Sequence, residues 1–220
     1  MKAKISLNRD EVVASALRIV DEQGLDALTV RRVADEFGVT PMALYWHFSN
    51  KDALLDAVGD AVVAGLRLPD LALDLEHYLG EAMTALVDVM RAHPRAASLL
   101  PHRILLTDPG REITEATLDK LMTAGFDVDK AAAVAHYAMM IATTLVAAEP
   151  GAETSIKPAD RGAALEAKLA LLQSLPADRY PRLRVAAPAM VECGDSDEYY
   201  ADAVGIFVAG VMADARALTS

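Results

Sequence analysis

The chain has 220 residues, 53% of them hydrophobic, and a formal net charge of −11. That length supplies one large or two modest domains with a sizeable core. Its one cysteine, Cys193, excludes a disulfide framework and a metal-cysteine cluster, and fits a reducing cytoplasm. Met1 to Asp10 is polar and basic, without the apolar run of a secretory leader. Residues 131–148 form the one apolar stretch long enough to test as a membrane span. It carries His136, Tyr137, Thr143 and Thr144 between Lys130 and Glu149, so it reads as a buried helix rather than a span.

The charge is unevenly placed. Residues 1–52 hold 7 basic side chains (Lys2, Lys4, Arg9, Arg18, Arg31, Arg32, Lys51) and 8 acidic ones, and the other 168 residues hold 14 and 24. A near-neutral first quarter and an acidic remainder imply two regions with different partners.

In chain order, Val13, Ala16, Leu17 and Val20 mark an amphipathic helix. Asn8 caps it, Glu11 is a capping-box partner, and Gly24 ends it. Thr29 caps a second helix, Val30 to Phe37, closed by Gly38. Thr40 caps a third, with Pro41 at its first position, running to about His47. Ser49 or Asn50 opens a fourth. Two short helices about a Gly38-Val39-Thr40 turn are a helix-turn-helix signature. Val30, Val33, Phe37, Val39, Leu44 and Phe48 are its expected core. Neighbouring helical residues point about 100° apart, so Tyr45, Trp46 and His47 cannot all face that core. At least one ring must face outward.

Farther on, Leu75, Leu79, Met83, Leu86 and Met90 form a stripe ended by His93-Pro94. Residues 113–122 form another, ended by Gly125. Residues 129–148 read as a central helix, apolar almost all round. A loop at 150–158 precedes helices expected at 163–175 and 188–192, then a last helix, 197–218, rich in Gly and Ala. No alternating strand pattern appears, so the fold class is all-α. No paired carboxylates, nucleophile–His spacing or phosphate-binding glycine loop points to an enzyme.

The run LTVRRVADEFGVTPMALYWHFSNKDALLDAV, Leu28 to Val58, resembles the TetR family of bacterial transcriptional repressors, most specifically in Leu44-Tyr45-Trp46-His47-Phe48-Ser49-Asn50-Lys51. Within that family it is most similar to the tetracycline-binding branch. RAHPRA at 91–96, TAGFDVDKAAA at 123–133 and the Gly-rich last helix extend the likeness more weakly. The resemblance implies a homodimer with a helix-turn-helix DNA-binding head, residues 1–50, and a helical ligand-binding and dimerisation body, residues 51–220. It implies a repressor that binds a palindromic operator and is released by a small-molecule effector.

Carried over residue by residue, it places Thr29, Arg31 and Arg32 near DNA, and Thr40, Pro41, Met42 and Ala43 at the base edges. Tyr45, His47 and Lys51 fall against the phosphates, with Trp46 alongside. Family members with a Gln-Pro-Thr run read bases by hydrogen bonds where this chain has Pro41-Met42-Ala43, which can offer only apolar contact, such as Met42 on a thymine methyl. Their operator sequence is therefore not carried over. The same resemblance puts the effector near Ala82, Leu86, His102, His136, Met139, Met140 and Thr143. Tetracycline-binding members hold a drug-chelated magnesium ion on a His and an acidic residue, for which His102 and Glu149 are the counterparts. Ala82 and Leu86 stand where those members carry an Asn and an aromatic, which weighs against the chelate, so no cofactor is expected. Two other readings stay open: a redox or apolar-ligand sensor using Cys193, and a helical binding protein or enzyme with a vestigial DNA head.

Overall fold

The computed structural model describes residues 7–218, so Lys2 and Lys4 lie outside the described residues. Ten α-helices joined by short 3-10 turns make up the described chain, with no strand among them.

The first helix, α1 (Arg9–Gln23), starts where the Asn8 side chain accepts from Asp10 N at 3.0 Å. Glu11 returns no capping-box bond, so the cap is one-sided. Its buried face is Val12, Val13, Ala16, Ile19 and Val20, with Leu17 only half-buried. That face is wider than the expected stripe because α1 is gripped by both α2 and α4. Helix α2 (Val30–Glu36) is capped by Thr29, whose hydroxyl accepts from Arg32 N at 3.1 Å. Gly38 turns the chain at φ 62°, a left-handed conformation that costs an L side chain about 1–2 kcal/mol.

The third helix, α3 (Pro41–Leu44), is a single turn, shorter than expected. Thr40 holds the cap position without a side-chain bond, and residues 45–47 continue as turn rather than helix. His47 N and Phe48 N both bond Leu44 O at 2.9 Å, which tightens the chain and drives Phe48 inward. Leu44 and Phe48 are buried with Val30, Val33 and Ala34, whereas Phe37 and Val39 are half-buried.

Asn50 opens α4 (Lys51–Val63) by accepting from Ala53 N at 2.8 Å. This helix packs on α1 behind the head and on α5 (Leu75–Ala92) in the body. The body is completed by α6 (Asp108–Thr123), α7 (Val128–Ala147), α8 (Arg161–Gln173), α9 (Pro181–Val191) and α10 (Ser196–Leu218). Helix α9 starts well before the expected 188. Pro181 sets its first turn, and Pro188 sits inside it, losing one backbone bond without ending the helix.

The central element is α5, not α7. It packs against α6, α7 and α10 and buries Tyr78, Leu79, Ala82, Met83, Leu86, Val87, Val89 and Met90. Helix α7 is long and apolar enough to cross a membrane, yet it lies packed on α5 and α6. It buries only Ala131, Val134, Met139, Ala142 and Val146, leaving Tyr137, Met140 and Thr144 exposed along one side. The last helix has a matching open face: Ile206 is 75% exposed, beside Gly205, Ala209, Gly210 and Ala213. The near-continuous apolarity of α7 thus serves two faces, one against its own chain and one open.

Candidate nucleic-acid interface and ligand cavity

The head presents most of its expected residues on the segment 40–47, with Thr29, Arg31 and Arg32 at the start of α2 and Lys51 at the start of α4. Burial of Leu44 and Phe48 leaves the residues between them little room inside. Trp46 is 89% exposed, Met42 68% and Tyr45 46%, while His47 is half-buried with its ring tilted 46° to Phe48. Thr29, Arg31, Thr40 and Lys51 are exposed, and Arg32, Pro41 and Ala43 are half-buried. The caps explain the placement. Thr29 and Thr40 lie at the starts of α2 and α3, whose free backbone N–H groups and positive dipole ends favour anions.

Electrostatics at the head are arranged by pairing. Arg18 bonds Glu36 and also Glu22, so it neutralises the acid at the end of α2. Arg31, Arg32 and Lys51 form no ion pair among the described residues. Arg32 Nε is moreover buried without a partner. Sequence reasoning missed Arg9, whose guanidinium lies 5.2 Å from the Phe48 ring centroid and covers the inner end of the motif. The head thereby keeps Arg31 and Lys51 exposed and outside any ion pair among the described residues, with Arg32 half-buried beside them.

Besides α4, one segment of the body also grips the head. His93 Nδ1 lies 2.9 Å from Asp21 Oδ2, and Arg95 Nη1 donates to Glu22 O at 2.7 Å, so the end of α5 grips the end of α1. Arg103, just beyond, pairs with Asp56 of α4 and packs over Gly59.

The body holds a cavity of about 280 Å³. Helix α5 contributes Leu79, Ala82, Met83 and Leu86. Helix α6 adds Ile113, Thr114, Thr117 and Leu118, and α7 adds Ala135, His136 and Met139. Phe207 of α10 and the 3-10 segment Pro101, Ile104 and Leu105 close it. That segment is held tightly. A Cβ on Gly110 would lie 1.8 Å from Ile104 O, so only glycine lets α6 approach so closely.

Of the expected effector residues, the cavity brings together Ala82, Leu86, His136 and Met139. It excludes the other three. His102 is exposed at the end of the 3-10 stretch Ala97–His102, because Pro101 turns inward in its place. Met140 is exposed on the open face of α7. Thr143 donates to Met139 O at 2.8 Å and points toward Met90 Sδ. The stripes of α5 and α6 looked like ordinary core. Only their convergence on one void marks Met83, Thr117 and Phe207 as lining, and no local pattern encodes that.

Glu149 does not join His102 either. Its carboxylate accepts from Ser196 Oγ at 2.6 Å, Tyr200 OH at 2.9 Å and Cys193 Sγ at 3.5 Å. Among the described residues no group of three His, Cys, Asp or Glu side chains is placed to hold a metal ion. Burial, then the Glu149 bond and charge, push the Cys193 thiol up from its ordinary pKa. The reactive thiolate is thus disfavoured. Burial and the same carboxylate push the Tyr200 phenol up as well.

The geometry is that of a helix-turn-helix regulator: a small head with outward rings and cations on a helical body with a cavity between its helices. Comparison with known proteins agrees. Residues 12–58 match the model of the bacterial regulatory proteins, tetR family. Over 223 residues the chain is 31% identical to an HTH-type transcriptional regulator of Saccharopolyspora erythraea, covering 97% of this chain and 88% of that one. Its head alone is 47% identical to the class C tetracycline repressor of Escherichia coli over 57 residues, 26% of each. The crystal structure of the Streptomyces coelicolor TetR family protein ActR in complex with actinorhodin superposes with a TM-score of 0.75. It is 30% identical and covers 95% of this chain and 98% of that one. The chain belongs to the TetR family of bacterial transcriptional regulators. A homodimer is the state typical of that family.

Proposed function

We propose that this protein is an effector-released repressor that acts in the cytoplasm without catalytic activity of its own. The dimer binds a palindromic double-stranded operator. The observation that carries this reading is the outward segment 40–47, held rigid by Leu44 and Phe48 and bearing an almost fully exposed Trp46. Tyr45, His47, Lys51 and Thr29 fix the phosphates, and Arg31 and Arg32 flank them. Pro41, Met42 and Ala43 meet base edges by apolar contact, with Trp46 packed beside them.

The open faces of α7 and α10 pair with their symmetry mates as a four-helix dimer contact. Two-fold symmetry then sets two α3 segments on half-sites about 34–36 Å apart, or a multiple of that. The acidic body, with 14 basic and 24 acidic residues beyond position 52, is repelled by the duplex, so only the head approaches it. The effector enters the body cavity as an organic molecule without magnesium. ActR, crystallised with actinorhodin, is the precedent for a small molecule bound to such a body. Ligand occupancy shifts the 93–103 segment, and His93, Arg95 and Arg103 transmit that shift to α1 and α4. An effector favouring the DNA-incompetent spacing by about 3–4 kcal/mol weakens operator binding by about two to three decades.

The test is selection of bound duplexes from a randomised pool. Wild-type protein should enrich a palindrome and the Tyr45→Ala variant should not. If neither enriches a sequence, or both enrich the same one, the head does not read DNA in this way.

A further inference from the structure

The cavity's chemistry says more than its shape. No Asp, Glu, Lys or Arg lines it, so a charge placed inside would lose its hydration without a counter-ion. Its polar side chains are Thr114, Thr117 and His136. Thr114 Oγ1 donates to Gly110 O at 2.7 Å and Thr117 Oγ1 to Ile113 O at 2.7 Å, so both hydroxyl protons are spent on their own helix. His136, which lines the cavity but is exposed to solvent, alone has no protein hydrogen-bond partner among the described residues. A neutral imidazole offers one donor and one acceptor, which a single hydroxyl on the ligand can use.

A neighbouring cleft reinforces this. A cleft of about 820 Å³ adjoins the cavity and shares Leu105, Ile113 and Thr114 with it. Its two cations are already occupied. Lys120 Nζ donates to Leu71 O at 3.0 Å and to Leu73 O, and Arg111 bonds Asp108 and Leu105 O. Glu112, Glu115 and Asp119 line the same cleft without ion pairs among the described residues. An anion would meet carboxylates in the cleft and no cation in the cavity.

Resting on the effector-released reading above, we propose that the effector is an uncharged, largely apolar molecule of aromatic dimensions whose hydroxyl is read by His136, and that anionic molecules of the same shape are rejected.

Three probes share one ring system and differ only in the polar group: naphthalene, 2-naphthol and 2-naphthoate. Their affinities are measured on the full-length protein without DNA, near neutral pH, where the naphthol is uncharged and the naphthoate ionised. Naphthol should bind tightest. Naphthalene should be about fivefold weaker, the worth of one hydrogen bond. Naphthoate should be at least about tenfold weaker than naphthol. His136→Phe should bring naphthol down to naphthalene, and His136→Gln, which keeps a hydrogen-bonding group, should restore most of the difference. Leu86→Trp should abolish binding of all three by filling the cavity. Naphthoate binding as tightly as naphthol would overturn the proposal. So would a naphthol advantage that survives in His136→Phe, or no binding by any probe. Operator selection with the same preparation reads the head separately. A palindrome enriched alongside a failed probe series removes the ligand class and leaves the DNA-binding reading standing.

Discussion

Head and body are built from the same helical material and put their function in opposite places. The head fills its interior with Val30, Val33, Ala34, Leu44 and Phe48 and carries its rings and cations outside. The body leaves a void inside, among Leu79, Met83, Leu86, Thr117 and Met139. A surface function permits a tightly packed unit of about forty residues, because nothing need enter it. An interior function requires several helices to converge without filling the space between them, and that takes a longer chain.

The contrast predicts that head substitutions change binding without changing stability, whereas body substitutions change both. The largest effect should come from Arg31→Ala, Tyr45→Ala and Lys51→Ala combined. Operator affinity should fall by about a hundredfold to a thousandfold, and the salt dependence should lose about two units of slope. The melting temperature should stay where it was, as differential scanning calorimetry would show. Next, Gly110→Ala should destabilise the body by about 2–3 kcal/mol, since the new methyl collides with Ile104 O rather than with a movable side chain. Urea denaturation measures it, and an unchanged midpoint would mean α6 is not held as described.

Alkaline pH should act on the body. Tyr78, Tyr199 and Tyr200 are all pushed above the ordinary phenol value, each chiefly by burial, and all three lie in the body. A raised folded pKa means the folded chain keeps protons that the unfolded chain releases. Their contribution is therefore complete below the unfolded tyrosine value of about 10 and declines as pH rises beyond it. Tyr200→Phe should cost about 1–2 kcal/mol at neutral pH, through the lost Glu149 bond, and should flatten the alkaline decline. Denaturation midpoints from neutral pH to about pH 11 give both numbers. The smallest effect belongs to Cys193→Ser. With its thiol half-buried beside Glu149, stability should move by no more than about 0.5 kcal/mol. The ligand response, measured with and without peroxide, should be the same as wild type, and a lost peroxide effect would restore the redox reading.

The head was legible because its signals are local. Asn8, Thr29 and Asn50 cap the helices they precede, Gly38 makes the turn it must, and adjacent rings cannot share one face. What failed there was fine: Thr40 makes no side-chain cap, and α3 stops at Leu44. The body was legible as helices but not as a site. Periodicity identifies a buried face without telling close packing from the wall of a void, so Met83 and Thr117 read as core. The apolar run 131–148 suggested the centre of one chain, but half of its face is open. His102 and Glu149 were sought as a pair, and local bonding directs each elsewhere: Pro101 turns His102 outward, while Ser196, Tyr200 and Cys193 occupy Glu149.

Trp46, the chain's one tryptophan, stands at the point where the account places DNA. Its fluorescence, followed while the duplex enriched by selection is titrated into the protein, tests the central claim most directly. The account predicts a change in emission that saturates at one duplex per dimer and is absent with a scrambled duplex at the same salt. Unchanged Trp46 emission while the operator is demonstrably bound would contradict it, because the outward face of the head would then not be the face that meets DNA.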